Sequence, residues 1–414
     1  MSRDLSIKHV MLSDGERYKV LTDSSGAPLF YPSLYVTAHV RGAAQSVSTM
    51  HNTLQALKFM YLWLDHYKID IEARFKKAEL LELHEIISLR DFAKKSMKSL
   101  GKDQKVVSLF ADQKEKGVGG GSQYYRMTVI ADYLRFLAQT LTRRLSDKKL
   151  PAQIKGMMKR IKVRRPKKKG LRDSHDLDKG LDDEVLDQLF EVMKPGSPGN
   201  PYKDEGVQIR NGLIITLLRF LGIRKGELLN LWVEDINFAK NTLSIVRRPD
   251  SALDTRPDQP LVKTRERTLP LDPKLSELLS DYVLGHRSKF HQARRHPTLF
   301  VTHKAGPTQG AAFTKSGFGK LMSQLKASAE MFSDVHAHAF RHSWNYGFSQ
   351  TVDANDSITP EAEEKMRSYL MGWSETSGTA ANYNKRHIRE KAGEAVLEFQ
   401  SNISGTARKD NGDN

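Results

Sequence analysis

Leu221-Gly222-Ile223-Arg224-Lys225-Gly226-Glu227-Leu228-Leu229-Asn230-Leu231 puts an arginine between a glycine turn and a short amphipathic helix. Upstream of it, residues 182–194 and 205–222 carry helical periodicity. Downstream, Thr242–Val246 and Arg267–Leu271 read as short strands in a β region near 235–270. Helical patterns return near 274–286, 313–330, 338–350, 360–371 and 387–400. Residues 181–400 are therefore expected to form one mixed domain, mostly helix with a small sheet. Residues 401–414 are polar and expected to be a disordered tail.

The other half reads as all-helical. Leu54, Leu57, Tyr61 and Leu64 recur at helical spacing, and a second helix is expected from Ala78 to Met97 with Leu80, Leu83, Ile87 and Phe92 inward. Gly117 to Gly121 breaks the pattern. Ser122 then suits an N-cap for a long helix whose inward residues are Met127, Ile130, Leu134, Leu137 and Leu141. Residues 42–154 are expected to be a small helical domain. Residues 1–41 differ: Tyr18–Leu21 and Leu29–Tyr31 flank a Ser-Gly-Pro turn, the pattern of a hairpin or extended arm.

Between these halves, Lys155 to Arg172 holds ten Lys or Arg and no acid. A like-charge run repels itself, so residues 155–180 are expected to be an extended basic linker. Arg164, Arg165, Lys167, Lys168 and Lys169 are its candidate DNA contacts, because each cation near a phosphate releases counterions. The whole chain is basic, with 66 Lys plus Arg against 49 Asp plus Glu and a net charge of +17, which favours a nucleic-acid partner. It has no cysteine, which excludes disulfides, thiolate zinc sites and a cysteine nucleophile, and agrees with a reducing cytosol. Met1 to Lys8 lacks an apolar h-region, so no signal peptide is expected, and no apolar run reaches the roughly 20 residues of a membrane span.

Four segments carry candidate chemistry. Besides Arg224, they are Lys263 at a turn before a strand, the His338-Ala339-Phe340-Arg341 pair on one side of a helix, and Gly372-Trp373 with Tyr383 ten residues later in a small, polar stretch. Singly, each has an ordinary reading: an exposed arginine, a hairpin lysine, a chance His-x-x-Arg, a core tryptophan, a surface tyrosine. No phosphate loop, zinc spacing or carboxylate cluster for two-metal catalysis accompanies them, so no cofactor and no metal is expected.

Taken in order, these segments resemble the tyrosine recombinase (phage integrase) family. Arg224, Lys263, His338, Arg341, Trp373 and Tyr383 match its motif positions one by one, although Trp373 stands where most members have His. An indole N–H donates a hydrogen bond but cannot shuttle a proton. The resemblance implies a helical core-binding (SAM-like) domain followed by a mixed α/β catalytic domain. It also implies site-specific strand exchange through a 3′-phosphotyrosine on Tyr383, for DNA integration or excision in a mobile element. Two guanidinium groups, Arg224 and Arg341, would clamp the phosphate with paired donors that never deprotonate. His338 would accept the phenol proton, Lys263 would protonate the departing 5′-oxygen, and Trp373 would pack against the phosphate or hydrogen-bond it.

The implied partner is double-stranded DNA, clamped by the two domains. The implied assembly is a homotetramer on two synapsed sites, with the helix near 387–400 docking on a neighbour through Leu397 and Phe399. This leaves room for accessory DNA-bending proteins and points to a cytoplasmic, nucleoid-associated location. Alternatives are a type IB topoisomerase and a DNA-binding regulator with a dead site.

Overall fold

In the computed structural model, residues 4–42, 46–96, 117–166, 180–355, 357–374, 392–393 and 395–401 are described. The fold is mainly helical with two small antiparallel sheets, and the chain divides into two compact units, Met1–Gly170 and Leu171–Asn414.

The first unit opens with a hairpin. Strand β1 (Ser6–Met11) pairs with β2 (Arg17–Thr22) in a register running from Ser6 opposite Thr22 to Met11 opposite Arg17. Tyr18–Leu21 is thus a strand, but its partner lies upstream of it. The expected second strand at Leu29–Tyr31 is instead the start of helix α1 (Phe30–Val36). Pro32 falls in the first turn of that helix, where its missing N–H breaks no hydrogen bond.

Helix α2 (Val47–His66) begins at the Ser46 cap, whose side chain accepts from the Thr49 N–H, and buries Leu54, Leu57, Tyr61 and Leu64. The helix expected over 78–97 is shorter and shifted. Ala78 adopts a left-handed φ of 61° after α3 (Ile71–Lys76), and α4 (Leu83–Phe92) starts only where Glu85 reaches back to the Glu82 N–H. That restart rotates the face: Ile86, Leu89 and Phe92 point inward, while Leu83 and Ile87 are exposed.

Helix α5 (Gly120–Leu141) is capped at Gly119, ahead of the expected Ser122, and buries Met127, Ile130, Leu134 and Leu137. The Tyr61 and Tyr133 hydroxyls bond at 2.6 Å and tie α2 to α5.

The basic segment is a second correction. Its first half is not an extended linker but helix α6 (Leu150–Val163), packed in the first unit through Ile154, Met157, Met158 and Ile161. Each such burial contributes about 2 kcal/mol, enough to outweigh repulsion between cations that the helix spreads over its solvent face. Lys162 is answered by Asp132 at 3.0 Å. Arg165 folds back to bond Thr128 at 3.0 Å and lies 4.4 Å over the Tyr124 ring, and Arg164 donates to the Arg160 carbonyl. Lys167, Lys168 and Lys169 lie outside the described residues.

The second unit surrounds helix α8 (Glu205–Leu221), nearly continuous in buried leucine and isoleucine. Helix α7 (Asp183–Met193) lies against it through Leu186, Leu189 and Met193. After the short α9 (Lys225–Asn230) comes a three-stranded antiparallel sheet: β3 (Ile236–Asn237), β4 (Thr242–Ile245) and β5 (Arg267–Pro270), with β4 central and Leu243 opposite Leu269. Helices α10 (Pro273–Asp281), α11 (Lys315–Ser328), α12 (Ala337–Asp353) and α13 (Pro360–Met371) follow. The segment expected to be helical to residue 286 changes to a wider π-type turn at Tyr282–His286. Among the described residues, no helix is long and apolar enough to cross a membrane.

Candidate active site

Two helix ends build the floor of this site. Helices α8 and α13 both stop at a glycine in the left-handed conformation, Gly222 at φ 58° and Gly372 at φ 64°. Such ends leave carbonyl groups without helical partners and carry the negative pole of the helix. Arg341, on α12, takes one bond from each end: Nη1 donates to the Gly222 carbonyl at 2.8 Å, and Nη2 to the Met371 carbonyl at 2.9 Å. Its side chain is wholly buried, so these bonds fix the plane of the guanidinium.

Arg224 reaches the same place from another direction. It is the N-cap residue of α9, directly after the Gly222 turn, and its Nη1 lies 3.5 Å from the Met371 carbonyl oxygen. Two guanidinium groups carried by elements more than a hundred residues apart therefore converge on one oxygen. Trp373 completes this corner. It is buried with Met371, and its ring lies 5.3 Å from the Arg341 guanidinium.

Lys263 is exposed on the irregular stretch that leads into β5. Its neighbours anchor that stretch: the Thr264 hydroxyl donates to Glu227 Oε1 at 2.6 Å, and the Arg265 N–H donates to the Gly372 carbonyl at 3.0 Å. His338 is exposed in the first turn of α12, one turn before Arg341, with its ring 4.9 Å from that of His342. Tyr383 lies outside the described residues; of the described candidates, the structure joins Arg224, Arg341 and Trp373, and the Lys263 stretch by its anchors. Among the described residues, no three His, Asp or Glu side chains gather as donors for a metal ion.

Glu227 is the member of this constellation whose role the sequence did not disclose. It is 1% exposed, accepts the Arg224 backbone N–H at 3.0 Å, and pairs with Arg267 at 2.9 Å. Burial alone would raise its pKa, but the guanidinium of Arg267, with Arg341 beyond and Thr264 bonded to it, holds the carboxyl below its ordinary value. Arg267 was likewise read only as a strand residue. The available signal was a glutamate among the leucines of α9, three residues after Arg224, where it can bond back to the cap.

Gly372 shows how closely these parts fit. A Cβ there would stand 2.7 Å from Arg267 Nη1, 2.9 Å from Thr264 Cβ and 3.0 Å from the Arg265 carbonyl oxygen, on a backbone conformation that L-residues avoid. Gly372→Ala is expected to cost about 2–5 kcal/mol in a urea unfolding series. Gly347→Ala, in mid-α12 with nothing within 4 Å of the added carbon, should cost nothing. Equal stabilities for the two variants would show that the corner yields.

The family model described as the phage integrase family matches residues 179–387, half of the chain. Similar curated proteins include tyrosine recombinase XerD of Halalkalibacterium halodurans, 23% identical over 145 residues, which cover 35% of this chain and 42% of that protein. Tyrosine recombinase XerC of Staphylococcus aureus is 23% identical over 162 residues, or 39% of this chain and 45% of that protein. The matched region thus spans less than half the length of these relatives. Among solved structures, a XerH site-specific recombinase bound to palindromic difH substrate aligns at a TM-score of 0.40 and 15% identity, covering 78% of this chain and 86% of that one. A Tn1549 transposon integrase in complex with transposon right end DNA aligns at 0.42 and 14%, covering 87% and 100%. With the family model spanning half its length, the chain belongs to the phage integrase family of tyrosine recombinases.

Proposed function

We propose that this chain is a site-specific DNA recombinase that cuts and rejoins strands through a 3′-phosphotyrosine on Tyr383. The curated relatives are named tyrosine recombinases, and the same activity is proposed here. The observation that carries the reading is the convergence of Arg224 and Arg341 on the Met371 carbonyl oxygen, at 3.5 and 2.9 Å. That shared anchor holds the two guanidinium groups side by side, the arrangement that can clamp the non-bridging oxygens of one phosphate as charge builds on them.

In this reading the phenol oxygen of Tyr383 attacks phosphorus and the bond to the 5′-oxygen breaks. His338 takes the phenol proton, and Lys263 gives a proton to the leaving oxygen. Trp373 fixes Arg341 from the side. The phosphotyrosine keeps the energy of the broken bond, so a 5′-hydroxyl from another strand reverses the step without ATP.

DNA affinity outside the site is assigned to the exposed Lys155, Lys159 and Arg160 of α6 together with Arg164, Arg165 and the Lys167–Lys169 run. The assembly is a homotetramer on two DNA sites, in which the exposed Leu397 and Phe399 are offered to a neighbouring copy. Its setting is a mobile element, and its location the DNA of the cytoplasm.

The test is incubation with nicked suicide DNA carrying the cognate site. A protein–DNA adduct that survives SDS supports the reading, and its absence on every site tried overturns it. Relaxation of plasmid lacking the site would reassign the chain as a type IB topoisomerase. Binding without cleavage would make it a regulator.

A further inference from the structure

Arg267 has bonds to three of the segments that carry the site. Its Nη2 donates to Glu227 Oε2 at 2.9 Å, its Nη1 to Thr264 Oγ1 at 3.2 Å, and its Nε to the Leu370 carbonyl at 2.6 Å. Glu227 follows Arg224 on α9. Thr264 adjoins Lys263. Leu370 precedes Met371, the residue whose carbonyl lies within reach of both Arg224 and Arg341. The Arg267 side chain is 1% exposed, and its Nε, Nη1 and Nη2 are each engaged by these protein partners.

The segments depend on this hub unequally. Arg341 is fixed by two helix ends, and Arg224 has the backbone of α9 behind it. Lys263 has less. Residues 261–263 belong to neither helix nor strand; Val262 is held in the core before Lys263, and the polar anchor after it is Thr264, whose hydroxyl bridges Glu227 and Arg267. A defect at Arg267 should therefore be felt first at the lysine.

We infer that Arg267 is a positioning residue for proton delivery: through Thr264 it holds the Lys263 stretch so that the ammonium group stands at the leaving oxygen. This rests on the strand-cleavage reading above. In the step concerned, the Tyr383 oxygen–phosphorus bond forms, the phosphorus–O5′ bond breaks, and the Lys263 Nζ proton passes to O5′, leaving a neutral amine.

The experiment replaces O5′ at the scissile phosphate of nicked suicide DNA with sulfur. A thiolate leaves without a proton, because a thiol is a far stronger acid than an alcohol. Arg267→Lys, which keeps the charge but loses the forked geometry, should cleave oxygen DNA roughly 10²-fold slower than the parent, the scale of one general acid. On sulfur DNA it should fall within about fivefold of the parent, at unchanged DNA affinity. Thr264→Val should show the same split at about tenfold, and it decides the matter alone if Arg267→Lys does not fold. Equal slowing on both DNAs, or none on either, overturns the inference. Lys263→Ala is the reference. If it is slowed equally on both DNAs, the lysine is not the acid and the inference falls with it, while the adduct still upholds cleavage. A parent chain that cleaves neither DNA refutes the cleavage reading itself.

Discussion

Tyr383→Phe is expected to leave no detectable protein–DNA adduct on nicked suicide DNA, with DNA affinity within about twofold of the parent. The change removes one oxygen and keeps the ring, so a loss confined to covalent chemistry identifies the nucleophile. Two of the described tyrosines of the same unit make poor rivals. Tyr202 and Tyr282 are buried, and burial pushes the Tyr282 phenol up to about 12 and the Tyr202 phenol higher still. Both also bond inward, Tyr202 to the Leu321 carbonyl and Tyr282 to His303. Tyr369 is the competitor to test. It is exposed, lies four residues before Trp373, and donates to the Thr268 carbonyl at 3.2 Å. Tyr369→Phe should therefore form adduct at the parent rate. An adduct that persists in Tyr383→Phe and vanishes in Tyr369→Phe would move the nucleophile to the other residue.

Arg341→Ala should lose both rate and fold, whereas Arg224→Ala should lose rate alone. Each removes a donor aimed at developing charge, which lowers cleavage by about 10²–10³-fold. Their stabilities should part because their surroundings differ. The Arg341 side chain is wholly buried and satisfies the Gly222 and Met371 carbonyls, so its removal leaves both oxygens unpaired beside a cavity, a loss of about 3–5 kcal/mol. The Arg224 side chain is 30% exposed, and its pairing with Glu227 at 3.6 Å is long, so about 1 kcal/mol or less is at stake. Urea unfolding and single-turnover cleavage of the two variants check this. If both unfold at the parent midpoint, the two carbonyl bonds of Arg341 contribute nothing, and the account of the site floor is wrong.

The residues most legible in the sequence were those tied to a local period or a turn. The faces of α2 and α5 follow from spacing alone, and β4 and β5 from short β-rich runs between turn residues. What escaped depended on where an element starts, or on partners far along the chain. The left-handed turn at Ala78 shifts the start of α4 and turns Leu83 and Ile87 outward, and no propensity marks an alanine for that conformation. In α6 the density of lysine and arginine masked an apolar stripe, Ile154, Met157, Met158 and Ile161, that satisfies helical spacing as well as α2 does. Lys167–Lys169 and Tyr383 fall outside the described residues, so those expectations stand as proposals. Arg224 and Arg341 were nominated by motif, but their meeting at Met371 comes from helix ends that no spacing rule describes. The pairing of Glu227 with Arg267 spans forty residues and is equally invisible to a local pattern.

The two helix ends beneath Arg341 have a further consequence for titration. Peptide carbonyls neither gain nor lose a proton, so the two hydrogen bonds that orient the Arg341 guanidinium do not themselves change with pH. A rate-versus-pH curve for this chain would then carry no inflection from those two bonds, leaving any bend to groups that do exchange protons.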